Sequence, residues 1–420
     1  MDAQRDEAAD VLGDSRRRSR VYVERRGVRQ LEEMVSTAKL RWEQAIERMR
    51  CRVDQTLESL QSEFPHWAEA ATGKWTTTVD GDWTGGAWPG MLWLFARRTG
   101  SSRYLDAARL WSSRLEPRAH LQTAFKGFGF YYGVALGDIL CADKDAATLA
   151  LDAAQSLKGQ YDPRLDLIPL GGDAEESEDV GNSFSSIDSL QAVPLLFWAA
   201  EKTGEASFAD VAARHTTRVL DIHMRPDGSI VQSSELNPAN GKVVRHFTHK
   251  GFSESSVWAR AQAWGLVYAA VALAYRPQEK RWMEQLIASA DWWLSHVPPG
   301  LVAFWDFDDP AIPNTETDTA ATAIVCSALL KLGRLAPSAD LRTKYQDAGE
   351  RIALALINGY LTPVAAGETR SQGMLVGACF NKRRDARVRD SATNAETIFG
   401  SYYLLESLNV LDGLIEAEKI

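Results

Sequence analysis

The sequence predicts an all-α protein, an (α/α)6 barrel in which six helical hairpins close into a ring, with a few short strands in loops over its mouth. Three observations carry this expectation. A glycine- or serine-rich, aromatic-marked segment leads into an apolar helix, a short polar turn and an amphipathic helix, and this unit recurs at a spacing of roughly sixty residues. Helices that are apolar nearly all round, such as "GLVYAAVALAY", alternate with amphipathic ones, as an inner and an outer ring require. The loops between them are long enough to hold the few strands and any chemistry.

Taken in chain order, residues 1–30 are charged, poor in apolar side chains and carry the basic run "RRRSRVYVERRGVR". They read as a disordered arm or, alternatively, as a segment that docks a partner. Residues 31–420 read as one barrel domain, opening with the helical spacing of "LEEMVSTAKLRWEQAIERMRCRVDQTLESL". The first full unit is "WTGGAWPGMLWLFARRTGSSRYLDAARLWSSRL" and the second "GFGFYYGVALGDILCADKDAATLALDAAQSL". The third, "SIDSLQAVPLLFWAAEKTGEASFADVAARHTTRVL", is closest to the first, and Pro194 must kink or restart its leading helix. The fourth runs from "SSVWARAQAWGLVYAAVALAY" and the fifth from "DTAATAIVCSALLKLGRL". The sixth, "NAETIFGSYYLLESLNVLDGLI", ends early, so the N-terminal helix is the candidate for its missing partner. Between the third and fourth units, "GSIVQSSELNPANGKVVRHFTHKGFS" predicts strands around an Asn-Gly turn, crossing the barrel mouth.

Composition excludes several function classes. The net charge of −9 argues against a nucleic-acid footprint. The four cysteines are scattered, and the seven histidines show no metal-ligand spacing, so neither a metal nor a cofactor is expected. No apolar run spans a membrane and the N-terminal stretch "MDAQRDEAADVLGDSRRRSR" holds no signal-peptide core, which predicts a cytoplasmic protein without membrane partners. The 14 tryptophans often neighbour Gly, Asp or Arg, a setting that suits stacking on sugar rings as well as core packing.

Four groups on lead-in loops are candidates for chemistry. In "DGDWTGGAWPG", Trp83 and Trp88 are either a sugar platform or the packing of a tight turn. Asp188, at the start of the otherwise apolar "SIDSLQAVPLLFWA", is either a helix cap or a carboxyl poised for proton transfer. In "THKGFSESSVWARAQAWG", Arg260 and Trp264 share a helix face, as a substrate grip or a structural cation–π pair. His249 and Lys250 just upstream add donors. Asp306, Asp308 and Asp309 in "FWDFDDPAIPNTETDTAATA" read as turn caps or acids. The acidic run "GGDAEESEDVGNS" reads as solvated. Lys126, amid the rings of "TAFKGFGFYYG", is a lone cation in an apolar setting.

Together "DWTGGAWPGMLWL", "SIDSLQAVPLLFWAAEKTG", "RPDGS", "THKGFSESSVWARAQAWG", "FWDFDDPAIPNTETDTAATA" and "GSYYLLESL" resemble, in order and over nearly the whole chain after residue 50, the unsaturated glucuronyl hydrolases of glycoside hydrolase family 88. The resemblance implies the six-hairpin barrel already expected, and a glycosidase acting on acidic oligosaccharides whose terminal uronic acid carries a C4–C5 double bond. It implies hydration of that enol ether, with Asp188 as general acid/base and Trp83, Arg260 and Trp264 against the substrate. The departures are as informative. Where the family carries a His-Asp pair, this chain has Lys126 and Gly127; a family histidine is Gln232, and a family glutamine is Lys250. Glu254 retains an acid. The expected substrate-binding set is therefore Trp83, Trp88, Lys126, Gln232, His249, Lys250, Arg260 and Trp264. The alternatives are a hydrolase of another acidic or saturated glycoside, or a non-catalytic acidic-sugar-binding protein.

Overall fold

Two helices that the sequence marks as copies end in the same way. The computed structural model describes residues 41–175, 184–364, 373–383 and 391–420; the charged arm and residues 31–40, where the sequence predicts the start of the domain, lie outside them. Helices α2 (Ala87–Thr99) and α7 (Ala192–Thr203) each stop at a glycine in the left-handed region, Gly100 and Gly204, where a side chain would be strained. In both, a threonine hydroxyl bonds back four residues: Thr99 Oγ1 donates to the Phe95 carbonyl and Thr203 Oγ1 to that of Ala199, each at 2.7 Å. Each hydroxyl then accepts from a backbone N–H two residues on, in Ser101 and Glu205.

The remaining helices are α1 (41–59), α3 (Ser102–Ser113), α4 (Lys126–Phe130), α5 (Leu136–Cys141), α6 (Lys144–Lys158), α8 (Ala206–His223), α9 (Ala259–Tyr275), α10 (Lys280–His296), α11 (Thr319–Leu335), α12 (Ala339–Gly359) and α13 (Ile398–Leu411). A π-helical turn, Tyr131–Ala135, joins α4 to α5 into one inner helix. The Gly133 carbonyl in that turn accepts from Ser112 Oγ at 2.6 Å and Trp93 Nε1 at 3.0 Å. Side chains thus satisfy an acceptor in the wider turn.

The inner helices touch in ring order: α2 on α5, α4 on α7, α7 on α9, α9 on α11, α11 on α13, and α13 back on α2. Burial separates the two rings. Helix α9 is enclosed without a break from Ala259 to Leu273, whereas α8 buries one stripe, Phe208, Ala212, His215, Val219 and Ile222 among it. Each fully buried leucine, valine or phenylalanine contributes about 1.5–3 kcal/mol, so the apolar inner helices supply much of the driving force for closure. The N-terminal helix completes the sixth hairpin: Arg48 of α1 donates to the Ile357 carbonyl at the end of α12, and Tyr104 of α3 donates to Asp54 of α1 at 2.7 Å. The (α/α)6 barrel expected from the repeats is the observed architecture.

Two small antiparallel sheets sit on the loops. One has the order β2 (Trp75–Thr78), β1 (Phe64–Glu69), β6 (Ala395–Thr397), and β6 runs directly into α13. The other has the order β3 (Phe184–Ser186), β4 (Ser233–Leu236), β5 (Val243–Phe247), with β4 and β5 joined through the turn at Asn240 and Gly241. Among the described residues no helix is long and apolar enough to cross a membrane.

Candidate active site

At the N-terminal ends of the inner helices a tight cavity is lined by Trp83, Phe125, Asp188, Gln191, Lys250, Trp258, Arg260 and Trp264. These come from the lead-in segments of four inner helices and, for Arg260 and Trp264, from the first turns of α9, so the ring brings helix starts together. The aromatic walls are mutually braced. Trp83 packs edge-on against Trp264 with centroids 6.1 Å apart, and Trp264 stacks on Tyr268 at 5.7 Å.

Asp188 is placed by the β3 strand and a 3-10 turn, Ile187–Gln191, after which α7 restarts with Pro194 as its third residue. The cap of that turn is not Asp188. Ser186 Oγ accepts from the Asp188 N–H at 3.3 Å, which leaves the aspartate side chain for other partners. Asp188 Oδ2 accepts from Ser186 Oγ at 2.9 Å and from Gln232 Nε2 at 3.3 Å. The residue is 4% exposed and the sole carboxylate lining the cavity among the described residues.

Gln232 joins this carboxylate to the turn that carries Lys250. Its Oε1 accepts from Thr248 Oγ1 at 2.6 Å, from the Lys250 N–H at 3.1 Å and from the His249 N–H at 3.3 Å. Three donors at one atom fix the amide orientation, so its NH2 faces Asp188 and, at 3.2 Å, His249 Nε2. His249 Nε2 then accepts, and its Nδ1 donates to Ser233 Oγ at 3.1 Å. Gln232 is 1% exposed and is not among the cavity-lining residues, so the expected substrate contact becomes a hold on Asp188.

The two cations at the cavity differ in what occupies them. Lys250 Nζ lies 5.5–5.9 Å from the ring centroids of Trp83, Trp258 and Phe380, a cation–π setting inside the aromatic wall. Arg260 is held by the protein. Its Nη1 donates to Asp318 Oδ2 and to the Cys379 carbonyl, both at 2.6 Å, and its Nη2 donates to the Phe380 carbonyl. Asp318 also accepts from the Ala320 and Ala321 N–H groups at the start of α11. Burial pushes the Asp318 carboxyl up, and Arg260 and those amides oppose the shift. Arg260 therefore ties α9 to α11 and to the 379–380 segment while its guanidinium lies 4.7 Å from Trp258.

Other expected site residues lie elsewhere. Lys126 is not in the cavity: its Nζ donates to the Ala119 carbonyl at 3.1 Å and to Ser156 Oγ of α6 at 2.6 Å. Desolvation lowers its pKa to about 8, against the pull of Asp152 and Asp173. Trp88 is fully enclosed and packs edge-on against Trp111 of α3, so its ring serves the core. Glu254 is 73% exposed and faces Arg245 at 3.6 Å, outside the cavity. Asp306 accepts from the Phe252 N–H and Ser256 Oγ, Asp308 from the Val257 N–H and Asp309 from the Ala311 N–H, so the three are turn braces. The acidic run is not wholly solvated either. Glu175 is bonded to Arg118, and burial raises its pKa to about 7; residues 176–183 lie outside the described residues.

Phe125, Gln191 and Trp258 line the cavity without having been singled out. Gln191 stands three residues after Asp188 in the 3-10 turn, where side chains three apart eclipse, so both fall on one face. Among the described residues no group of His, Cys, Asp and Glu is arranged to hold a metal ion.

No family model matches the chain. It is 31% identical over 373 residues to the unsaturated glucuronyl hydrolase of Bacillus sp. (strain GL1), covering 87% of this chain and 96% of that protein. It is 25% identical over 373 residues to the unsaturated chondroitin disaccharide hydrolase of Streptococcus pyogenes serotype M1, covering 87% and 90%. The crystal structure of the Bacillus sp. GL1 enzyme superposes with a TM-score of 0.79 at 29% identity, over 88% of this chain and 96% of that one.

Proposed function

The chain belongs to the unsaturated glucuronyl hydrolase family, and from that premise we propose that it removes unsaturated uronic acids from acidic oligosaccharides by hydrating the C4–C5 enol ether. The observation that carries this is Asp188, a buried carboxyl held by Ser186 and Gln232 inside an aromatic cavity that also contains the Lys250 ammonium. In this reading the Asp188 carboxyl protonates C4, and positive charge develops at C5 and the ring oxygen. Water adds at C5, losing its proton to the Asp188 carboxylate. The hemiketal opens and the next sugar departs.

Each wall has a part. Trp83 and Trp264 flank the ring and exclude bulk solvent, leaving room for the water that adds at C5. Lys250 takes the uronate carboxylate, because its ammonium lies at the cavity within the aromatic wall of Trp83, Trp258 and Phe380. A charge-assisted hydrogen bond of this kind contributes about 1.5–3 kcal/mol. His249 and Gln232 act from behind, through Asp188 and the Lys250 turn. Cytoplasmic location and membership of glycoside hydrolase family 88 are part of the same proposal.

Incubation with lyase-generated disaccharides tests it. Loss of the enol-ether absorbance and release of the neighbouring sugar are expected, and activity untouched by Asp188→Asn would sink the role of that residue. A second reading, a non-catalytic acidic-sugar-binding protein, is favoured by one observation. Gly127, where the family carries an acid, is packed so closely that a Cβ there would lie 2.1 Å from the Gln191 carbonyl oxygen. Saturable binding without turnover at any pH would select that reading.

A further inference from the structure

Gln191 is buried beside Asp188 with an amide oxygen that no described residue engages. It is 2% exposed, lines the cavity, and its Oε1 is enclosed with no hydrogen-bond partner among the described residues. It stands three residues after Asp188 in the same 3-10 turn, so the two side chains project from one face toward the same space. Its backbone carbonyl meets Gly127 of α4 so closely that only a glycine fits there, which fixes the turn against the inner ring. An enclosed amide oxygen without a donor is destabilising, and a leucine of similar volume would serve the packing better. Enclosed beside the cavity and without a donor among the described residues, the amide oxygen suits a ligand.

We infer that Gln191 is a substrate-contacting, specificity-determining residue whose carboxamide oxygen accepts a hydrogen bond from a ring hydroxyl of the bound uronide. The assignment rests on the proposed substrate class, and the chemistry of that class narrows it. An unsaturated uronide has C4 and C5 in its double bond, C1 in the glycosidic link and its carboxylate ionised. The hydroxyls at C2 and C3 are the donors left on that ring. Gln191 therefore reads one of these two positions, while Lys250 reads the carboxylate.

The experiment compares wild type and Gln191→Leu on an unsaturated disaccharide and on its 2-deoxy and 3-deoxy analogues. Gln191→Leu should lower kcat/KM for the parent about tenfold and lose its effect on one of the two analogues, while its Tm equals or exceeds that of wild type. A residue that only packs would give a lower Tm and equal losses on all three substrates, which would overturn the inference and leave the proposed reaction standing, as would no loss at all. If wild type turns over none of them, the proposed reaction falls. Titration of the same disaccharide into Asp188→Asn, with and without Gln191→Leu, then decides. A tenfold weaker Kd in the double variant keeps Gln191 in contact with the sugar, and equal Kd values or no binding remove it.

Discussion

Asp188 and the Lys126–Gly127 pair both stand at starts of inner helices, and both are places where chemistry is expected from sequence. They resolve in opposite ways. Around Asp188 a strand, a 3-10 turn and the 248–250 turn aim polar atoms at one cavity. At α4, Phe125 faces the cavity while Lys126 turns outward to Ala119 and Ser156, and Gly127 presses on the start of α7. One step along a helix turns a side chain by about 100°, so adjacent positions serve different neighbours. Gly127, a position where the family resemblance leads one to expect an acid, is thus a packing residue here, and the cation beside it reaches toward the outer ring.

The contrast can be broken by substitution, with the largest effect at Asp188. Asp188→Asn should lower kcat on an unsaturated disaccharide by at least about a thousandfold with little change in Tm, which steady-state kinetics and a thermal melt would read. Next comes Gly127→Asp. Restoring the family's acid there should not create activity; it should destabilise the fold by about 3 kcal/mol or more, because the Cβ would run into the Gln191 backbone. A soluble Gly127→Asp protein with raised activity would reverse the reading of this region.

Lys250→Gln should raise KM about tenfold or more for a free uronate and much less for its methyl ester, since only the first carries the charge. Gln232→Glu sharpens the picture of Asp188 itself. Three donors can still meet one carboxylate oxygen, and the other then confronts Asp188 Oδ2 in place of a donor. A second carboxylate raises the Asp188 pKa. In the proposed reaction Asp188 delivers a proton to C4 from its protonated form, so the basic limb of kcat/KM in Gln232→Glu should move to higher pH than in wild type.

The smallest effect is expected at Lys126. Its folded pKa of about 8 lies below the usual 10.5, so the unfolded chain binds more protons between those values. Stability should therefore rise with pH across that window. Lys126→Met should abolish the rise in urea-melt stability while leaving activity unchanged.

How much was legible follows from the distance over which each signal acts. The restart at Pro194 and the Asn-Gly hairpin are local chemistry, and they read directly from short stretches. Asp188 was legible as a choice between cap and acid, and in the structure the neighbouring Ser186 takes the cap. Arg260 could not be settled locally, because Asp318 and the 379–380 carbonyls that hold it come from far along the chain. Trp88 misled because one motif holds two tryptophans, one ahead of the helix and one on its core face. Gln191 was hidden as a polar residue in an apolar run, and only the 3-10 geometry turns it beside Asp188.

The most direct test of Asp188-driven hydration follows turnover of an unsaturated disaccharide by NMR in deuterated water containing methanol. The expected product has the glycosidic bond intact, a methyl ketal at C5 and one new deuteron at C4, and it should be absent with Asp188→Asn. A methyl group at C1 with the double bond retained, or the same ketal formed at an undiminished rate by Asp188→Asn, would contradict the mechanism.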